Sequence, residues 1–368
     1  MIGLVEELPN GVAVFQATDG DAIKSNIYCE FPWCAPDSHC FVYQQSAPEH
    51  APNTHEYIAC NFGSWEKRVI GHGSGGQTMS GGRFYFQRIE DNRRELVRVD
   101  LMSGEEYIWE IPDAVPQSAR LDISCDERYI AYSVKLGWSP QNFGIGLLDL
   151  HSGESKIICE DRWLNNSHLQ FEPGKGRQLL IQHNRGCVYT PDGKCELLVG
   201  PEGCTLFILD VPDGNITRLP LGPPETASCS GHEAWLGESG KVILTLNIAE
   251  DYDHGKGPIM LAEAGKPARQ LCAPWEMNHI GSVPSARLFC ADTFHPDEII
   301  IGSPYTDKAA VVCAAQTSYQ RSPYDSHPHA YLSPDLKWVI FNSDRSGGPQ
   351  VYCAAIPPEM ILELENNE

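Results

Sequence analysis

The sequence predicts an all-β fold, a seven-bladed β-propeller forming a single domain over residues 1–368 and closed by an N-terminal strand. Three observations predict it. A turn-and-strand unit recurs seven times along the chain. The repeats follow one another at about 45 to 50 residues, the period of a four-stranded propeller blade. An extra strand stands at the N-terminus with no partner of its own.

Each repeat begins with a small or turn-forming group and runs into an apolar strand. In order these are Pro36-Asp37-Ser38 before Cys40–Tyr43, Ser80-Gly81-Gly82 before Phe84–Phe86, and Cys125-Asp126-Glu127 before Tyr129–Tyr132. Pro173-Gly174-Lys175 precedes Leu179–Ile181, and Glu238-Ser239-Gly240 precedes Val242–Leu244. Pro284-Ser285-Ala286 before Leu288–Cys290 and Pro334-Asp335-Leu336 before Trp338–Phe341 complete the set. The fourth interval is longer and holds an insertion around Gly186–Gly203. A second turn, as in Asp100–Glu105, Asp149–Glu154 and Asp210–Gly214, joins the outer strands of a blade as a hairpin. Closure needs both chain ends in one blade, since open sheet edges invite aggregation. The last repeat supplies Trp338–Asn342 and Gln350–Ala354, and the orphan strand Val12–Gln16 can complete it.

Composition agrees with one large all-β domain: 42% hydrophobic residues allow a sizeable core, and 33 glycines with 27 prolines are spread as many short strands require. The formal net charge is −22, from 27 basic and 49 acidic residues. A field of that sign repels nucleic acid and anionic membrane surfaces, so neither is expected as a partner. An anionic substrate would meet the same repulsion, and its site must be made locally positive by a metal ion or a few arginines. The start Met1-Ile2-Gly3-Leu4-Val5-Glu6-Glu7 lacks the basic, apolar character of a secretory signal. None of the 14 cysteines stands in a CxxC pair, and Cys60, Cys159, Cys290 and Cys353 occupy apolar strand positions. Reduced, mostly buried thiols in a cytoplasmic protein are the expectation.

His327-Pro328-His329, just before the seventh turn, carries the sharpest chemical signal. Residues two apart on a strand face the same way, so the two imidazoles can grip one ion, with the proline pointing away at a strand start. His279 holds the same place in the preceding blade and can supply a third nitrogen, giving an open metal site near the channel. The same tripeptide also suits a solvated loop. Imidazoles without thiolates admit zinc, iron, nickel or manganese. Two other motifs read as loops: Gly71-His72-Gly73-Ser74-Gly75-Gly76 leads into a strand, not a helix, and Glu250, Asp251, Asp253 and His254 form a polar run. Neither a GxSxG elbow nor an HExxH pair occurs.

The segment from Ser326 to Asp344, with His327-Pro328-His329 at its start, resembles the last blade of the oligogalacturonate lyases. Gly231-His232-Glu233-Ala234-Trp235 is similar to that family's HEFW segment. Ser167–Phe171 together with His183-Asn184-Arg185-Gly186 is similar to its histidine-bearing region between the third and fourth blades. The resemblance implies a seven-bladed propeller that cleaves short acidic oligosaccharides by β-elimination with bound manganese. It implies His279, His327 and His329 as metal ligands and His232 beside the sugar. Tyr324 stands where the family has a glutamine ligand, and Cys204–Leu209 lacks the arginine that the family carries in the corresponding strand. With that arginine missing, His232 and Arg185 become the candidate catalytic pair, and His168, His183 and Arg162 the candidate substrate contacts. His168 and His232 suit equally the part of hydrogen-bonded histidines fixing a blade edge. A related propeller enzyme acting on another sugar, such as a hydrolase, and a non-enzymatic glycan- or protein-binding propeller are the alternatives.

Overall fold

Seven turns of one kind organise the computed structural model, which describes residues 2–47, 54–117, 121–247, 257–294, 296–319 and 323–366. Each lies between the first and second strands of a blade. Each also contains a residue with positive φ just ahead of the second strand: Ser38, Gly82, Glu127, Gly176, Gly240, Ala286 and Leu336. Four of the seven are not glycine, and the turn chemistry that holds them is local. In blade three Ser124 donates to Asp126 at 2.7 Å and accepts the Tyr129 N–H at 2.9 Å. Blade seven repeats this with Ser333, Asp335 and Trp338 at 2.7 and 3.0 Å. A Ser-x-Asp sequence ahead of an apolar strand thus fixes the reversal before any long-range contact forms.

Blades three, five and six are four-stranded antiparallel meanders: Leu121–Ile123 to Ser155–Asp161, Ser228–Trp235 to Lys266–Met277, and Ile280–Ser282 to Ala309–Ala314. Blade four has the order Gln170–Phe171, Gln178–Asn184, Cys204–Asp210 and Ile216–Arg218, and its insertion forms a separate hairpin, Val188–Tyr189 with Cys195–Leu197. Blades one and two are joined into one seven-stranded sheet by the long strand Lys67–Ser80. The glycine-rich Gly71–Gly76 segment is therefore strand and not a blade loop. Its glycines make room for a neighbour, since a Cβ at Gly73 would stand 2.3 Å from the Gln87 carbonyl oxygen and 2.6 Å from the Phe86 ring. The Glu250–His254 run lies outside the described residues.

Blade seven takes three strands from the C-terminal end and its fourth from the N-terminal end. Ala13–Gln16 pairs antiparallel with Gln350–Ala355, Val14 opposite Ala354, and Gly3–Glu7 adds a fifth strand outside it. The seam to blade one is aromatic: Trp338 stacks on Phe62 at 5.2 Å between ring centres and meets Phe15 at 5.6 Å. A short helix, Pro358–Glu365, buries Met360 and Leu364 beside blades six and seven. All 14 cysteines are free thiols, most of them buried in the core as small apolar side chains. No helix among the described residues is long and apolar enough to cross a membrane.

Candidate metal centre

The first strands of neighbouring blades approach one another around the channel, for example Ser228–Trp235 against Ile280–Ser282 and the latter against Tyr331–Leu332. All run in the same direction from one mouth to the other, because each ends at the common turn. Residues at the entrances to these strands are therefore gathered at one mouth although they lie far apart in sequence. His168, His279 and the pair His327 and His329 precede the first strands of blades four, six and seven, and His232 lies in a bulge of blade five's first strand, between Cys229 and Glu233.

His279, His327 and His329 offer ligand nitrogens that all lie within 4.8 Å of one another. Their ring centres are 4.4 Å apart for His279 and His329 and 5.4 Å for the two other pairs. The strand expected at His327-Pro328-His329 is absent: this segment is irregular and ends in a left-handed His329 with φ 42°. The two imidazoles converge through that turn of the backbone instead of through strand alternation, and a strained non-glycine residue of this kind must be held by its surroundings. Two asparagines hold it. Asn342 donates its amide to the His327 carbonyl at 3.0 Å, and Asn26 donates to the His329 carbonyl at 2.5 Å. Asn342 also accepts the Asn26 N–H at 2.8 Å, which ties blade one to blade seven at this point.

Asp292, fully buried at the end of the second strand of blade six, lies under the cluster. Its carboxylate meets His279 Nδ1 at 3.0 Å and accepts the His279 N–H at 3.1 Å. Burial pushes its pKa up to about 7, against hydrogen bonds from the His279 and His329 N–H groups and the Asn278 side chain. With Nδ1 engaged by the carboxylate, His279 presents Nε2, the carboxylate–histidine pattern that orients metal-binding imidazoles. Burial, followed by repulsion from the neighbouring imidazoles, pushes His279 and His329 well below the usual histidine range, and burial lowers His327. The three rings are thus neutral near pH 7, the form in which nitrogen binds a cation.

His232 lies beside His279 with ring centres 4.4 Å apart and the ring planes tilted, and burial with three imidazole neighbours, among them His168, pushes it well below the usual range. His168, with φ 43°, has its Nδ1 3.3 Å from the carboxylate of Glu233. Tyr28 from blade one and the stacked pair Phe294 and Tyr319 complete the wall, at 4.7 Å from His329 for Tyr28 and at 5.5 and 4.6 Å from His327 for the pair.

The other residues singled out from the sequence lie elsewhere. Tyr324 is exposed and lines a cavity with residues of Asp19–Ile23 and Gly347–Gln350; a Cβ on Gly348 would be 3.5 Å from its hydroxyl. Arg185 donates Nε to Gly203 O at 2.9 Å and Nη2 to Pro223 O at 3.0 Å. His183 pairs with Asp161 at 3.0 Å, and both His183 and Arg185 line a cleft of about 790 Å³ formed by blades three, four and five, with none of the clustered imidazoles in its lining. Arg162 lies over the Trp163 ring. Asp292, Tyr28 and Glu233 are the residues that sequence reasoning missed. The signal for Asp292 was a charged residue closing the otherwise apolar Phe289-Cys290-Ala291-Asp292 strand.

No protein-family model matches the chain. The oligogalacturonide lyase of Pectobacterium atrosepticum is 26% identical over 305 residues, which cover 72% of this chain and 73% of that protein. Among solved structures, an oligogalacturonate lyase in complex with manganese superposes with a TM-score of 0.72 at 18% identity, covering 98% of this chain and 97% of its own. The oligogalacturonate lyase of Vibrio parahaemolyticus does so with a TM-score of 0.72 at 16% identity and the same coverage.

Proposed function

From the premise that the chain is a diverged member of the oligogalacturonate lyase family, we propose that it is a metal-dependent lyase cleaving short galacturonate oligosaccharides by β-elimination. The observation that carries this reading is the convergence of His279, His327 and His329 within 4.8 Å at one mouth of the channel, backed by the buried Asp292.

The donor set fits a divalent cation: three neutral imidazole nitrogens, a carboxylate behind one of them, and a side left for exogenous ligands. Manganese is the metal we assign, on the solved relative that holds it. When bound, it neutralises the second negative charge that builds beside the uronate carboxylate as C5 loses its proton. The chain's own residues do the rest. Asn26 and Asn342 fix the peptide that carries two ligands, Asp292 sets the His279 ring, and His232 faces the sugar from blade five. Tyr28 and the Phe294–Tyr319 pair give the mouth an aromatic wall against which a sugar ring can lie.

The protein as purified should carry close to one divalent ion, measured by elemental analysis, and should consume the ultraviolet absorbance of unsaturated digalacturonate. The H327A/H329A double variant should lose both. Full activity in that variant, or wild-type protein inert towards every galacturonide offered, would refute the reading.

A further inference from the structure

The common turns of all seven blades surround the opposite mouth of the channel, and there they line a cavity of about 550 Å³. Blade one's own chain separates this cavity from the metal centre. Tyr28 packs against His329 at the metal mouth, the Cys29 carbonyl lies so close to blade six that a Cβ on Gly281 would come within 1.8 Å of it, and Phe31 lines the far cavity. None of the clustered imidazoles is in its lining. The walls are apolar and poor in donors. Pro36, Pro173, Pro284 and Pro334 stand at the turns of blades one, four, six and seven, and proline carries no N–H that could meet an anion. The charge is of one sign: Asp122, Glu172 and Glu238 line the cavity, and no lysine, arginine or histidine does. Two of these acids are brought together across a blade boundary. A Cβ on Gly174 would stand 2.6 Å from Glu172 Oε1 and 3.4 Å from Glu238 Cβ, so the two side chains flank one glycine. Glu172 is 6% exposed and accepts the Gly174 and Lys175 N–H groups at 2.7 Å each, which takes about two of the roughly four acceptor sites of a carboxylate. Neither glutamate has an ion pair among the described residues. Like charges gathered at the side of an apolar cavity raise one another's energy, and a cation seated against them relieves it.

We propose that the far mouth binds a protonated organic amine with an apolar body, its ammonium group against Glu172 and Glu238 and its body against Phe31 and the proline rings. The cavity has the form of a small-molecule site, which is usually roughly 300–1,000 Å³ in volume with apolar walls and a few placed polar groups. An ammonium group donates charge-assisted hydrogen bonds to carboxylates. A bare metal ion would leave most of the cavity unfilled. An acidic sugar is repelled by the same carboxylates, so the substrate of the proposed lyase and the amine enter by opposite mouths.

The test uses full-length protein with its metal and phenethylamine as the probe, with titration calorimetry as the readout. The amine should bind saturably. Phenethyl alcohol, of the same shape without the charge, should bind about tenfold or more weakly, and phenylpropionate should not bind. Ser285→Trp, at an exposed turn position in the lining, should abolish binding by filling the cavity. Glu238→Lys should weaken it by about tenfold or more through like-charge repulsion, and carries the same test if Ser285→Trp does not fold. Metal content and urea midpoint of the folded variants should stay near wild type. Equal affinities for the amine and the alcohol, unchanged binding in Glu238→Lys or in a folded Ser285→Trp, or no binding of the amine at millimolar concentration would each overturn the proposal. Displacement of the amine by an equal concentration of calcium chloride would make the mouth a hard-cation site and overturn it as well.

Discussion

Replacing Asp292 by asparagine is the most direct probe of how the metal centre is held. The change keeps shape and removes one acceptor oxygen. Asp292 serves the His279 N–H and Nδ1 and the His329 N–H. The amide has one oxygen for these donors, and its NH₂ would oppose a donor unless the His279 ring shifts its proton to Nε2. That shift puts a proton on the nitrogen that would otherwise be free to bind the ion. Loss of such an outer carboxylate weakens metal binding by about 10- to 100-fold, equivalent to roughly 1.4–2.7 kcal/mol. A buried donor left unpaired adds a stability loss of about 1–3 kcal/mol. Competition against a chromophoric chelator measures the first quantity and urea unfolding of metal-free protein the second. Because burial holds Asp292 up to about 7, the competition belongs at pH 8, where the wild-type carboxylate is ionised. An affinity within threefold of wild type, in a variant that urea shows to be folded, would refute the orienting role.

Metal-stripped protein should lose stability on acidification below pH 6.5. His232, His279, His329 and His327 are all held below the usual histidine range, burial being the largest cause, so the unfolded chain takes up protons there that the folded chain does not. Asp292 acts oppositely, being protonated when folded and ionised when unfolded. The histidines outnumber the carboxyl group, so stability falls as pH falls, by roughly 1.4 kcal/mol per pH unit for each proton of net difference, read from urea midpoints between pH 6.5 and 5; a flat profile would contradict it. Gly73→Ala should cost about 1–3 kcal/mol by overpacking, since the new Cβ meets the Gln87 carbonyl oxygen and the Phe86 ring, and should lower the urea midpoint without changing the slope. Arg185→Ala should cost about 1–3 kcal/mol by stranding the Gly203 and Pro223 carbonyls, while elemental analysis finds the metal unchanged.

The propeller was legible because its defining signal is local. Ser-x-Asp at 124–126 and 333–335 makes its turn from its own side chains, and the orphan strand at the N-terminus could be matched to the last repeat without knowing any register. What misled was glycine. Gly71–Gly76 has the composition of a loop, yet the Phe86 ring packs so close to Gly71 and Gly73 that a side chain there would collide with it. In a strand, glycine's lack of a Cβ can matter more than its flexibility, and only the neighbouring strand says which applies.

The site followed the same division. His279 and the His327-Pro328-His329 pair were legible from their place ahead of repeated turns, because the entrances to first strands converge by architecture. His183 and Arg185 seemed to belong with His168 from closeness along the chain, but they lie on or just after the second strand of blade four, whose side chains pack between blades. Glu233 and Asp292 went unseen because each meets a residue brought to it by a neighbouring strand or blade. Their placement bears on the charge problem raised by a formal net charge of −22. Among the described residues no lysine or arginine is recorded against the three candidate ligands, the imidazoles are neutral, and a buried acid, Asp292, lies behind His279. On the proposed chemistry, the cation then supplies attraction for an anionic sugar that the described side chains around the ligands do not. Substrate binding, and not only turnover, should accordingly weaken when the metal is removed, as equilibrium binding to metal-stripped protein would measure.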